Sequence, residues 1–281
     1  MEEDVTGWIE RRRQYASRGE SPPKSKGRED LWWPLGSPRR KQIHRTATGL
    51  AILTIVLLVS WIPPLQAFLL LRFLLVVAEI VGVVFVILGR HGFGPAHAQN
   101  VVFAVVLWFV GLGVLAWYVI GLAVILRPVA SSGPSGPSIL PSLEGLLVLG
   151  AVVQVVIGSS WILFGHALLR WRDRALLYGS LAVSLALYIV VARIVRSAVQ
   201  SLLAGDHVTA RALLGDATDL AVFGFVPNMM LVVAYVTALI RIDRKEIPTP
   251  PFKECPSCKC IIDAAAIDCF VCGHRFGGTT A

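Results

Sequence analysis

Charge is scarce in this chain. Asp, Glu, Lys and Arg make up 16% of its 281 residues, against about 25% in an ordinary soluble domain. Catalytic motifs are missing too. The six histidines are scattered and none stands in an H-E-x-x-H pair, which excludes the helix signature of the zinc peptidases. No Gly-rich loop ends in Gly-Lys-Ser/Thr, which argues against a nucleotide-driven pump. Gly133-Pro134-Ser135-Gly136 carries the letters of an intramembrane serine-protease motif. It falls in a Pro/Gly/Ser loop, however, not at a strained turn that would present the hydroxyl. No repeat relates the two halves of the apolar region. With no catalytic constellation, the chain is not expected to be an enzyme.

What is present is apolar. Hydrophobic residues reach 55% and mean hydropathy is +0.68. The fold class this predicts is an all-α polytopic membrane protein with about six transmembrane helices and a small C-terminal module. Each run approaches the ~20 residues needed to cross a bilayer, and the expected spans are 46–62, 65–89, 100–126, 142–169, 175–195 and 219–240. Pro63-Pro64 ends the first, and residues 127–142 are the longest expected connection without structure. Residues 197–215 have Leu202, Leu203, Ala210, Leu213 and Leu214 on one helical face. Two readings stay open there: an interfacial helix, or a helical loop packed on the bundle.

The domain division follows. Residues 1–45 form a basic arm with eleven Lys/Arg against seven Asp/Glu, disordered by composition. Its forty-odd polar residues ahead of the first apolar run are no secretory signal. The transmembrane domain covers 46–240, a linker 241–251 and the terminal module 252–277. Trp32 and Trp33 suit a headgroup layer. Arg39, Arg40 and Lys41, with Arg45, stand against the first span, where anionic lipid is an expected partner. The plainer reading is that they only set orientation.

Six spans put both termini on one side. Of the 26 Lys/Arg, 21 then fall on the tail's side; Arg127, Arg193, Arg196 and Arg211 fall opposite, and Arg72 lies within a span. That is the bias of the positive-inside rule, so the expected location is the cell membrane, multi-pass, with both termini cytosolic.

Inside the apolar region the polar residues are the candidates. Arg72 and Glu79 are seven positions apart on the second span, hence on one face and about 10.5 Å apart along the axis. A charge near the midplane is costly unless paired or hydrated. Gln154 and Asn228 are the expected hydrogen-bond partners of Glu79, and Arg193 a remoter one. Gln154, Gly158, Trp161 and Gly165 make a stripe that points to close helix packing. Pro227-Asn228 is an expected kink in the sixth span. Arg72, Glu79, Gln154 and Asn228 form either a link that fixes packing or part of an ion or proton pathway.

All of this leads to the tail, Cys255-Pro-Ser-Cys258-Lys-Cys260 followed by Cys269-Phe-Val-Cys272-Gly-His. A C-x-x-C turn brings two sulfurs to one side of a tight knuckle. Two knuckles separated by ten residues supply the tetrahedral thiolate shell that zinc favours, with Zn–S near ~2.3 Å. A disulfide framework would need an oxidising compartment, and a redox C-x-x-C would normally stand beside a βαβ pattern, absent here. The expected ligands are Cys255, Cys258, Cys269 and Cys272, with Cys260 a bystander. Pro256 stiffens the first knuckle, and Gly273 suits the backbone that closes the second.

These residues resemble the short zinc ribbons at the ends of many prokaryotic proteins, membrane proteins among them. The resemblance covers 252–277. It departs where Lys259 and Cys260 follow the second cysteine, a place such ribbons usually give to glycine. The ribbon's charges balance: Lys253, Lys259 and Arg275 against Glu254, Asp263 and Asp268. Nucleic-acid binders are basic, so a cytosolic protein is the expected partner. The leading functional expectation is therefore a non-enzymatic, membrane-anchored interaction or regulatory module. The second is a small-solute or ion transporter with Arg72 and Glu79 in its path.

Overall fold

The computed structural model describes residues 32–33, 37–60, 69–132, 139–250 and 252–276. In order these form α1 (Pro38–Val59), α2 (Leu69–Gly89), a 3-10 turn (Arg90–Phe93), α3 (Pro95–Ser132), α4 (Ile139–His166), α5 (Arg174–Leu203), α6 (His207–Val222), α7 (Phe225–Asp243), β1 (Phe252–Glu254) and β2 (Ile261–Asp263). Six segments are long and apolar enough to cross a membrane, the last of them running through α6 and α7 together from His207 to Asp243.

Helix ends depart from the apolar runs because capping, not hydropathy, sets them. α1 begins at Pro38, inside the basic cluster: the Ser37 hydroxyl accepts from the Arg40 amide at 3.2 Å, and proline suits the first turn. The last residues of the expected arm are thus helical, while residues 1–31 and Pro63-Pro64 lie outside the described residues. The connection expected over 127–142 is shorter. α3 continues through Arg127 to Ser132 and α4 starts at Ile139, so Gly133–Gly136 of the protease-like letters also fall outside the description. At 38 residues, α3 is about 57 Å long.

Residues 197–215 resolve into a helical hairpin. α5 runs on to Leu203 and closes with paired bonds, Asp206 N to Ser201 O (2.9 Å) and Gly205 N to Leu202 O (3.1 Å), with Gly205 at φ 82°. Glycine serves there because left-handed backbone costs it nothing. Asp206 then caps α6, accepting from the Thr209 amide at 3.0 Å. Hydrogen bonds from the Thr209 hydroxyl and amide hold the Asp206 carboxyl below its usual range. α6 packs back along α5, and it falls within the last apolar segment, His207–Asp243, rather than in a connection between spans. The sixth span is broken at Phe223-Gly224, ahead of the expected kink. Pro227 sits in the first turn of α7, where it removes no helical hydrogen bond.

The helices pack as antiparallel neighbours, α1 on α2, α3 on α4 and α5 on α6, with α7 against α1, α4 and α5. α1 and α2 approach at glycines. A Cβ on Gly49 would stand 2.6 Å from the Gly82 carbonyl oxygen, and one on Gly89 would strike Thr46 and the Gln42 carbonyl. Tyr235 of α7 is fully buried, and its hydroxyl donates to the Trp161 carbonyl of α4 at 2.6 Å. Gly165 gives its ring room, a Cβ there lying 3.0 Å from it. The stripe on α4 therefore packs helices: Gly158 faces Leu181 of α5, and Gly165 faces Tyr235 and Leu177. Elsewhere the large apolar side chains point outward; Leu70, Phe73, Phe103, Phe109 and Trp117 are all more than half exposed.

Trp32 and Trp33 lie inside the protein, not on its surface. The Trp32 indole donates to the Pro248 carbonyl at 3.2 Å, tying the start of the described chain to the segment before the cysteine cluster. The Arg39 guanidinium lies 4.3 Å from the Trp33 ring and donates to the Gly92 carbonyl at 3.2 Å. Arg40 reaches the Trp33 carbonyl at 3.4 Å. Lys41 and Arg45 remain exposed.

Candidate metal centre

The cysteine module is built from two copies of one turn. In the first, Lys259 N donates to Cys255 O at 2.9 Å and Cys255 N to Cys260 O at 2.8 Å. In the second, Gly273 N donates to Cys269 O at 2.7 Å and Cys269 N to His274 O at 2.8 Å. The residue after the second cysteine is left-handed in both, Lys259 at φ 59° and Gly273 at φ 71°. Lysine thus adopts the backbone that glycine takes without cost, roughly 1–2 kcal/mol of strain for a residue with a Cβ. The knuckle geometry survives the departure from the ribbon pattern.

Two short strands frame the turns. β1 pairs antiparallel with β2, Phe252 opposite Asp263 and Glu254 opposite Ile261. Phe252, Ile261 and Ile262 are buried beneath. Side chains tie the two knuckles together: Ser257 Oγ lies 3.0 Å from His274 Nδ1, whose ring stands edge-on to Phe276 at 5.2 Å. Lys253 donates to the Ala266 carbonyl at 2.6 Å and covers the Phe276 ring at 4.0 Å. Neither His274 nor Ser257 carries a sequence signal beyond adjacency to the cysteines.

The four expected ligands converge. The sulfurs of Cys255, Cys258, Cys269 and Cys272 all lie within 4.8 Å of one another. Across the knuckles, Cys255 to Cys272 is 3.6 Å and Cys258 to Cys269 is 3.5 Å. A tetrahedral shell with metal–sulfur bonds of ~2.3 Å has sulfur edges of about 3.8 Å, so the set fits one ion. All five cysteines are free thiols. Cys260 stands outside the set, its thiol directed at the Cys258 carbonyl at 3.8 Å.

Electrostatics within the cluster are uneven. Burial raises the Cys255 thiol, but the amides of Cys258 and Ser257 and the adjoining thiols outweigh it and bring it down to about 6. Burial, joined by the thiols of Cys260 and Cys269, pushes Cys258 up to about 11 against the Cys260 amide and the Cys272 thiol. At Cys272 the His274 amide favours the thiolate, yet burial and three sulfurs prevail and push it up to about 12. These neighbours thus favour a thiolate at Cys255 and disfavour one at Cys258 and Cys272.

The apolar-helix candidates are not brought together. Glu79, half-buried on α2, accepts from the Trp108 indole of α3 at 3.0 Å, so its partner is neither Gln154 nor Asn228. Gln154 accepts from Ser184 of α5 at 3.1 Å. Arg72 is exposed, as is Arg193, and among the described residues neither forms an ion pair with Glu79. Asn228 is half-buried on α7. Trp108 and Ser184 gave no signal in the sequence, being unremarked members of apolar helices. At the other end of the bundle Arg196 of α5 pairs with Glu144 of α4 at 2.6 Å.

Compared with protein-family models, curated proteins and solved structures, the chain matches none.

Proposed function

We propose that the chain is a six-span membrane protein whose C-terminal ribbon holds one zinc ion on the cytosolic side and docks a cytosolic protein. The bundle anchors it and no chemistry is required of the helices. The convergence of four sulfurs to within 4.8 Å carries this reading. Thiolates persist in a reducing compartment, and the Lys/Arg bias puts the same end of the chain in the cytosol. Two arguments of different origin therefore agree on orientation.

The ribbon's surface supports a protein partner. Lys253 is spent on Ala266 and Phe276, and Arg275 pairs with Asp268 at 3.3 Å. Beside these, Ile267, Phe270 and Val271 stand out from the second half of the module, 70%, 52% and 44% exposed. Apolar side chains without a surplus of cations suit protein rather than phosphate backbone. Lys41 and Arg45 supply attraction to anionic lipid at the same face, Arg39 and Arg40 being engaged within the protein. The transport reading has less support, because Glu79 is held by an indole that links α2 to α3, as a packing contact would be.

The test is made on the full-length protein. Metal analysis should give one zinc per chain, lost on replacing Cys255, Cys258, Cys269 or Cys272 with serine. In intact cells an impermeant thiol reagent should label Ser132→Cys and leave Thr279→Cys untouched. Labelling of Thr279→Cys from outside would overturn both the orientation and the compartment argument for zinc.

A further inference from the structure

A cleft of roughly 210 Å³ opens where the turn between α4 and α5 meets the C-terminal end of α7. Arg170, Arg241 and Arg244 line it, with Asp173 and Glu246 opposing them. Glu246 is already shared: the same oxygen takes Arg170 and Arg241, each at 3.3 Å. Arg241 is further held by the Leu168 carbonyl at 2.5 Å, which fixes its guanidinium in the wall. Arg244 is exposed and has no ion pair among the described residues. It sits at the C-cap of α7, where Glu246 N to Arg241 O (2.9 Å) and Lys245 N to Ile242 O (2.9 Å) close the helix. The cleft thus holds three guanidiniums, one of them uncommitted.

Its floor is different in kind. Thr237 and Ile240 line the cleft from α7, and Ile240 continues into an outward apolar strip with Val236 and Val233, 44%, 38% and 51% exposed. Residues spaced 233, 236, 240 share one helical face. Next to Arg170 in the α4–α5 turn, Trp171 is 83% exposed, and an amphipathic indole on such a surface favours the headgroup layer. The cleft therefore joins arginines to an apolar strip on α7, the two chemistries that a phospholipid combines.

We propose that this cleft binds the phosphate of an anionic phospholipid, with Arg170, Arg241 and Arg244 around the headgroup and an acyl chain along Val236 and Val233. Guanidinium matches phosphate through paired N–H bonds. A free phosphate would use the arginines alone; the strip that leads out of the cleft is what selects a lipid. The inference rests on the membrane reading above. It is separate from the attraction of Lys41 and Arg45, which belong to α1.

The experiment uses full-length protein in nanodiscs of equal phosphatidylcholine and phosphatidylglycerol, with bound lipid read by native mass spectrometry. Wild type should retain phosphatidylglycerol, and Arg170→Gln with Arg244→Gln should weaken that retention about tenfold or more. Phosphatidylcholine should be unaffected. Arg211→Gln, an exposed cation on α6 outside the cleft, should keep the bound lipid. If the double variant does not fold, as judged by zinc content and elution volume, the exposed single change Arg244→Gln carries the test. Unchanged retention in the arginine variant would overturn the proposal. So would displacement by inorganic phosphate together with indifference to Ile240→Asn, which would make the site one for free phosphate. Recovery of the chain from the soluble fraction of cells would instead sink the membrane reading itself.

Discussion

In the helical bundle Leu70, Phe109 and Trp117 face outward, whereas in the cysteine module Phe252 and Ile262 face in. The difference separates two ways of stabilising a chain. The bundle settles its backbone hydrogen bonds within each helix, so its side chains need only close approach, glycine against glycine-sized gaps, and a few polar links. The module has two three-residue strands and a handful of buried side chains. So small a unit cannot fold on its apolar area alone, and a metal would have to supply the rest.

The sharpest way to break this comparison is to remove the metal. With chelator, or with Cys255→Ser, the module should unfold, because zinc-coupled folding of such units is worth about 10–16 kcal/mol, while the helical signal by circular dichroism stays unchanged. A module whose amide resonances remained dispersed without metal would end the contrast. The next largest effect belongs to the bundle. Gly49→Val puts side-chain atoms where Gly82 O stands 2.6 Å from a Cβ, and it should destabilise the α1–α2 pair by about 1–3 kcal/mol or more, read as a lower thermal midpoint with zinc content intact.

Smaller effects refine the bundle's polar links. Glu79→Leu should cost about 1–3 kcal/mol by leaving the Trp108 indole without its acceptor. Glu79→Gln keeps an acceptor and should stay within about 0.5 kcal/mol of wild type. A folded Glu79→Gln protein that had lost a cation or proton flux in reconstituted vesicles would promote the transport reading over anchoring. The least effects lie in the module. Lys259→Gly should stabilise it by up to about 1 kcal/mol, since strain at φ 59° is relieved while unfolded-chain entropy takes part of the gain back. Cys260→Ser should leave one zinc per chain.

What the sequence by itself determined is what accumulates locally. Hydropathy is a property of each residue and adds along a run, so six apolar segments were legible, as was the bias of Lys/Arg toward one end. Spacing in C-x-x-C is equally local: two residues between cysteines leave the knuckle few conformations, and the four sulfurs of the structure are the four expected. Caps are local too, yet Ser37-Pro38 and Asp206 stand outside the apolar pattern, which is why α1 began early and residues 197–215 stayed open between two readings.

Only the tertiary structure decided which side chains meet. Glu79 reaches Trp108 rather than Gln154 or Asn228 because the rotation and slide of α2 against α3 set that contact, and neither quantity is written in the periodicity of either helix. Trp32 and Trp33 are buried for the same reason: their partners, Pro248 and Arg39 with Gly92, come from separate parts of the chain. The arginine cleft joins a turn and a helix end about seventy residues apart in sequence. Apolar faces accept many rotations at nearly equal cost, and it is the few close approaches at Gly49, Gly82, Gly89 and Gly165 that select one.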